Sequence, residues 1–285
     1  MKIAYLASQI TIPNAPNRRV DAFEHDLMME TLNKAGRAQV TDIAWDDDAN
    51  WSEFDAVIIG TCWDYQDRFD EFLDKLDCIS QQTALFNPLS LIKWNADKSY
   101  LKDLEQRGAR IIPTLFHSQL RPEHIEDAFQ HFDCGQLVVK RQVGASSEGQ
   151  FLLRRNAPLP QFNKAMMLQP FMPTIESEGE ISFIFIGNRF SHAVLKTPAQ
   201  DDYRIQSAYG GREHHLTPSP ADIQSAQEVL KHLDEDTLYA RVDMLRGEDG
   251  TLYLMELELI EPYLYPEQCD NLGINIICVI EDMLS

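Results

Sequence analysis

Two apolar runs near the C-terminus, Tyr239 to Leu245 and Leu252 to Ile260, flank Gly247-Glu248-Asp249-Gly250, and this arrangement constrains the chain more than any other feature. Strand-like runs joined by a Gly-bounded four-residue loop specify an antiparallel hairpin. The two-residue period of a strand puts Arg241 and Asp243 on one face of the first run, and Glu256 and Glu258 on one face of the second. With a four-residue loop, Arg241 lies opposite Glu256, and Asp243 is a diagonal neighbour of Glu256 at about 7 Å. Leu252, Leu254 and Ile260 fall on the same face, so the carboxylates sit on a partly apolar surface. Three carboxylates there repel one another unless a cation lies among them. Mg2+ takes hard oxygen ligands at about 2.0–2.1 Å and shares them with substrate phosphates, which makes Asp243, Glu256 and Glu258 metal-ligand candidates. A solvent-facing strand with alternate polar residues would give the same pattern.

A chain of 285 residues is long for one core, so two or three lobes with a cleft between them are expected. With 44% hydrophobic and 25% charged residues it has the composition of a globular protein, and it reads as soluble. No run approaches the roughly 18 apolar residues that span a bilayer. The apolar start, Met1 to Ala7, is cut short by Ser8-Gln9 and by Asn14 to Arg19, which makes it a first strand rather than a signal peptide. Five cysteines without C-x-x-C spacing predict neither a disulfide framework nor a zinc site, in keeping with a reducing cytoplasm. A net charge of −20 argues against a nucleic-acid partner. If the chain binds a compact anion, a few specific cations must act locally against that field.

Along the first lobe, strand-like and helix-like segments alternate: Ile3 to Ala7, a helix from about Asp21 to Ala35, Gln39 to Ala44, and Ala56 to Gly60. This is an open α/β arrangement without a G-x-G-x-x-G turn, so it carries no dinucleotide fingerprint. Asn87-Pro88 closes the lobe, giving expected units of 1–88, 89–168 and 169–285. Asn95 can cap a helix that runs to Gly108 and holds Lys98 in its first turn, where the dipole suggests an anionic partner; a solvated lysine is the alternative. The strand Leu137 to Lys140 leads into Gly144-Ala145-Ser146-Ser147-Glu148-Gly149. Gln150 stands where a P-loop needs lysine and a strand follows where it needs a helix, so the segment is a hairpin tip able to fold over phosphates. Gln169-Pro170-Phe171-Met172-Pro173 is stiff and extended, suited to a crossover between lobes. Ile181 to Ile186 and Phe190 to Leu195 form a hairpin, and Ser219 caps a helix from Pro220 to Leu233. His192, His214 and His215 make poor joint metal ligands, because adjacent strand residues point to opposite faces.

Taken in order, Lys98, Val138-Val139-Lys140, the Gly144 to Gly149 loop, Gln169 to Met172, Arg241-x-Asp243 and Glu256-x-Glu258 resemble the ATP-grasp superfamily over roughly residues 89 to 285. The likeness is nearest to the bacterial group similar to glutathione synthetases and to the cyclo-ligases of cycloserine biosynthesis. It is carried there by Ser191-His192-Ala193-Val194-x-Lys196, Asp202-Tyr203-Arg204-x-Gln206, Gly210-Gly211 and Glu256 to Pro262. The resemblance implies an α/β protein of α+β lobes, an ATP-grasp fold behind an N-terminal open α/β lobe. It implies ATP and Mg2+ or Mn2+ as cofactors, a small carboxylate and amine as substrates, and a cytoplasmic ligase acting through an acyl phosphate, with a homo-oligomer left open. An ATP-binding module without turnover is the alternative. Lys98 and Lys140 would hold phosphates, Ser146 and Ser147 would lie in the lid, and Gln169, Phe171 and Met172 would meet adenine. Glu180 would contact ribose, in competition with Glu176 and Glu178, and Lys196 would add a phosphate contact. Asp243, Glu256 and Glu258 would hold the metal, with Arg241 and Arg204 stabilising the transferred phosphoryl group or the oxyanion that follows. Trp63, Asp64 and Glu261 are substrate-pocket candidates, although Trp63 could equally be a core aromatic. The chain departs from the pattern at Arg141, commonly proline, at Glu258, often asparagine, and at Gly60, where close relatives have arginine.

Overall fold

The computed structural model describes residues 1–144, 149–199, 202–205 and 210–285. Its first sheet is open and fully parallel, in the order β2 (Gln39–Ala44), β1 (Lys2–Ala7), β3 (Ala56–Ile59) and β4 (Ala84–Phe86). All four residues of β3 are buried, as a parallel strand covered on both faces requires. Helices α1 (Phe23–Lys34) and α2 (Phe69–Ser80) cover the sheet with Met28, Leu32, Phe72, Leu76 and Ile79. The final helix, α8 (Leu272–Met283), returns to this lobe and packs on α1. Gly273 permits that approach, because a Cβ there would lie 2.1 Å from the Thr31 carbonyl oxygen. Gly60 has a similar reason: a side chain in place of its hydrogen would enter the Tyr5 ring, 2.0 Å away.

Helices α3 (Leu89–Asn95) and α4 (Tyr100–Gln106) connect the first lobe to the rest. A four-stranded antiparallel sheet follows, with β5 (Leu115–His117), β8 (Met166–Pro170), β6 (Gln136–Arg141) and β7 (Phe151–Arg154) side by side, and α5 (Pro122–His131) packed on it through Ile125, Ala128 and Phe129. The third sheet is antiparallel, in the order β11 (Arg212–Leu216), β10 (Arg189–Thr197), β9 (Glu180–Ile186), β12 (Tyr239–Arg246) and β13 (Leu252–Glu258). Short α6 (Thr174–Ser177) leads into it, and α7 (Pro220–Leu230) packs on it. The Ser219 hydroxyl caps α7 by accepting from Asp222 N–H at 3.2 Å. Leu91, Tyr100, Leu101 and Leu104 of α3 and α4 pack on this third sheet with Phe183, Val242 and Leu257. Tyr239 joins the sheet to the first lobe, its hydroxyl lying 2.9 Å from both Ile59 O and Ile260 O.

Three local expectations are corrected. Asn95 ends α3 instead of capping a helix, and Lys98 lies in the connection before α4, its N–H bonded to Gln142 O at 2.8 Å. The β12–β13 register pairs Arg241 with Glu258 and Asp243 with Glu256, not Arg241 with Glu256. Arg246 pairs with Leu252, so the turn is one residue longer than expected, and a bulge places Met255 as an extra residue between Asp243 and Met244. Each one-residue slip flips a strand's faces, and the two together restore the carboxylates to the face of Asp243. The bulge also separates Leu252 and Leu254 from that face, and both are buried with Leu257 in the core. Among the described residues no helix is long and apolar enough to cross a membrane.

Candidate active site

A cleft of about 670 Å3 is lined by residues of the second and third sheets together with loop and helix residues of the first lobe. Strand β6 brings Lys140, its penultimate residue, β8 brings Gln169, and Phe171 and Met172 follow directly. The third sheet supplies a stripe of charged side chains in register: Lys196 opposite Glu180, and Asp243 between Ser182 and Glu256. Lys98, Arg204, Glu258, Glu261 and Trp63 complete the set, so nearly every residue singled out by sequence reaches one cavity. Asp64 is the exception. Its carboxylate accepts from the Trp45 indole at 2.8 Å and lies 3.8 Å from Arg68, while its neighbours Trp63, Tyr65 and Gln66 line the cleft. Ser146 and Ser147 lie outside the described residues.

The charges in the cleft compensate one another. Arg241 contacts Asp243 at 3.1 Å and also bonds to Glu258, Lys98 lies 3.0 Å from Glu256, and Lys196 lies 2.7 Å from Glu180 and 3.5 Å from Asp243. Among the described residues no three His, Cys, Asp or Glu side chains converge as a ready-made metal cage. Burial pulls the Lys98 ammonium down, and Glu256, Glu258 and Glu261 more than offset it, leaving its pKa raised. Lys140 has no hydrogen bond or ion pair among the described residues, and burial leaves its pKa lowered despite Glu256 and Glu180. Burial raises Asp243, but Arg241 and Lys196 outweigh it and hold the carboxyl below its usual range. Glu258 is pushed to about 7 by burial, which Arg241 opposes and Glu256 and Asp243 reinforce.

Of the three candidate ribose contacts, Glu180 lines the cleft, fully buried, with Oε2 lacking a partner. Glu178 lies 3.4 Å from Arg246 instead, and neither it nor Glu176 is part of the lining. At this end Ile112, Ile175, Ile205 and Leu245 form a small buried cluster with Phe171, Met172, Tyr203 and Met255. His192 is taken up in the fold by Leu264 O at 2.9 Å, and His214 and His215 are exposed on β11.

Sequence reasoning missed the wall opposite. Arg19, Asp21, Glu24, Glu213, Tyr263 and Tyr265 all line the cleft. Arg19 stacks over Trp63 at 5.3 Å and makes a two-pronged contact with Asp21 at 2.7 and 2.9 Å. Glu24 is pushed to about 8 by burial and by Asp21 and Glu213. These residues are scattered through loops, the start of α1 and strand β11, with no local pattern to mark them. Asn95 was noticed for the wrong reason, as a helix cap.

This cleft, built between two antiparallel sheets behind an open parallel lobe, defines an ATP-grasp fold. Its structural neighbours include a D-alanine–D-alanine ligase and an ATP-grasp ligase. Residues 3–87 match the family described as the N-terminal domain of D-cycloserine synthetase DcsG. The cycloserine biosynthesis protein DcsG of Streptomyces lavendulae is 29% identical over 264 residues, covering 83% of this chain and 86% of that protein. The crystal structure of D-cycloserine synthetase DcsG superposes with a TM-score of 0.83 at 22% identity, over 100% of both chains. D-alanine–D-alanine ligase from Bacillus anthracis does so with 0.69 at 15% identity, over 100% of this chain and 97% of that one. For the ATP-grasp ligase PsnB the score is 0.67 at 13% identity, over 98% and 97%.

Proposed function

We propose that the protein is an ATP-dependent ligase that activates the carboxylate of a small, amino-acid-like substrate and joins it to a nitrogen nucleophile. The observation that carries this reading is the meeting of Lys98, Lys140, Lys196 and Arg241 with three carboxylates in one cleft that is also lined by apolar Ile112, Phe171, Met172 and Leu245. The orphaned Glu180 Oε2 in the cleft lining supports a role for Glu180 in accepting from a ribose hydroxyl. Asp243, Glu256 and Glu258 offer hard oxygen donors from adjacent strands, with Glu256 directly opposite Asp243, and this donor set fits a divalent ion shared with phosphates. Bound there, Mg2+ or Mn2+ would offset charge on the phosphoryl oxygens.

In this reading the substrate carboxylate attacks the γ-phosphorus and ADP departs, leaving an acyl phosphate. The nitrogen then attacks the acyl carbon, and inorganic phosphate leaves with the bridging oxygen. Lys98 and Lys140 bind the nucleotide phosphates, and Arg241 and Arg204 stabilise charge on the transferred group and the tetrahedral oxyanion. The likeness to D-cycloserine synthetase, across the N-terminal lobe as well as the ATP-binding lobes, favours closure of a ring within one molecule over joining two.

The test is ADP release and hydroxamate formation with hydroxylamine across a panel of small amino acids and their O-substituted derivatives, with cycloserine tested as a competing ligand. A carboxylate that triggers both ADP and hydroxamate is the expected result. Nucleotide binding without ADP release on any carboxylate would point to the alternative, an ATP-binding module without turnover.

A further inference from the structure

Strand β13 is terminal in its sheet and pairs only with β12, yet its outer peptide groups do not go without partners. At its start, Leu254 N–H bonds to Arg110 O at 2.8 Å and Leu254 O accepts from Ile112 N–H at 3.0 Å. After the bulge at Met255 the outward positions become Leu257 and Leu259, and side chains take over from backbone. Asn95 Nδ2 donates to Leu257 O at 2.9 Å, Asn95 Oδ1 accepts from Leu259 N–H at 3.0 Å, and the Tyr100 hydroxyl accepts from Leu257 N–H at 2.8 Å. Bonding the carbonyl of one residue and the N–H of the next but one is what a residue of a neighbouring parallel strand does. The Asn95 amide therefore replaces a strand along the two peptide units on either side of Glu258.

These bonds exist only in the bulged register. Without the extra residue, Asp243 would face Met255, the outward peptide groups would be those of Glu256 and Glu258, and both carboxylates would turn toward the core beside Val242. Asn95 and Tyr100 are 7% and 2% exposed, so in the unbulged strand their polar atoms would lose their partners away from water.

We propose that Asn95, supported by Tyr100, is a positioning residue for the divalent metal site: it holds β13 in the register that sets Glu256 opposite Asp243 and Glu258 on the same face. The inference rests on the reading of those three carboxylates as metal ligands. It assigns to α3 and α4 a role in metal affinity in addition to their packing.

The experiment measures Mn2+ binding by electron paramagnetic resonance in the presence of ADP, together with metal-free ADP affinity and thermal stability. Asn95→Ala is expected to weaken Mn2+ by about 10–100-fold, as loss of an orienting partner does, with metal-free ADP binding unchanged. Tyr100→Phe keeps the packed ring and removes one acceptor, so it moves Mn2+ affinity in the same direction by less, and it carries the test if Asn95→Ala does not fold. Tyr239→Phe removes buried hydrogen bonds to Ile59 O and Ile260 O but none to Leu257 or Leu259, and serves as the structural control. It should lower stability and leave Mn2+ affinity alone. Equal loss of stability in the Asn95 and Tyr239 variants with Mn2+ affinity unchanged in both would overturn the inference and leave Asn95 a structural residue. Wild-type protein that binds no Mn2+ with ADP would instead overturn the metal reading beneath it.

Discussion

Replacing Lys140 by methionine should move two measured quantities in opposite directions. Lys140, the penultimate residue of β6, lines the cleft unpaired among the described residues, and burial lowers its pKa although Glu256 and Glu180 attract it. Lys98, in the same cleft, has Glu256 at 3.0 Å and its pKa is raised. The difference marks Lys140 as a cation whose counter-charge is external. Burying an ion costs several kcal/mol after relaxation, and the two distant carboxylates return part of it, so a methionine of similar length should stabilise the ligand-free protein by about 1–3 kcal/mol. For a chain of this size that is roughly 2–4 °C in Tm per kcal/mol. The same substitution removes a charged hydrogen bond to phosphate, worth about 1.5–3 kcal/mol, and should weaken ATP roughly 10–150-fold. The pH dependence has a definite sign. With the folded pKa below the unfolded value of 10.5, the unfolded chain holds more protons between the two, so this residue's penalty fades as pH rises through that window. Wild-type stability should therefore approach that of Lys140→Met at high pH. Calorimetric melts with and without ATP supply both readouts. A variant less stable than wild type, with unchanged ATP affinity, would refute the reasoning and make Lys140 part of the scaffold.

Arg241→Ala leaves Asp243 and Glu258 without their bridging cation, and the ligand-free protein should lose about 3–5 kcal/mol, partly restored by ADP with Mg2+, as thermal melts would show. Glu24, raised to about 8 from 4.5, holds a proton that the unfolded chain has released between those values. Its contribution to stability is thus lost as pH rises through that window, and Glu24→Gln should flatten the decline between pH 6 and 8.5 in Tm measured against pH. Because Arg241, Lys98 and Lys196 engage the carboxylates proposed as metal ligands, Mn2+ alone should bind at least about tenfold more weakly than Mn2+ with ADP; equal affinity in equilibrium dialysis would count against cations that yield to phosphate.

Much of the fold was legible because its signals are local. The alternating segments of the first lobe, the Ser219 cap and the β9–β10 hairpin follow from periodicity and turn residues within a few positions of each other. The chemistry of the cleft was legible for a similar reason: strand parity fixes which residues share a face, and lysines and carboxylates at strand ends keep their character in any register. The opposite wall was not legible. Arg19 and Glu24 lie far from Tyr263 in sequence, and the three line one cleft only because α1 and the segment after β13 meet over it.

The β12–β13 hairpin shows where the division falls. Sequence by itself determined that Arg241 and Asp243 share a face, as do Glu256 and Glu258, because side chains alternate along any strand. Which carboxylate faces which was decided by tertiary structure, since one extra residue in the turn and one at Met255 each reverse a strand's faces. What holds that choice lies about 160 residues away, in the amide of Asn95 and the hydroxyl of Tyr100, whose bonds to Leu257 and Leu259 can form in one register only. Asp64 makes the same point from the other side: its sequence neighbours reach the cleft, but a buried indole from a different strand end claimed its carboxylate. Alternation is a property of the local backbone, while register and side-chain direction are set by distant groups competing for the same hydrogen bonds.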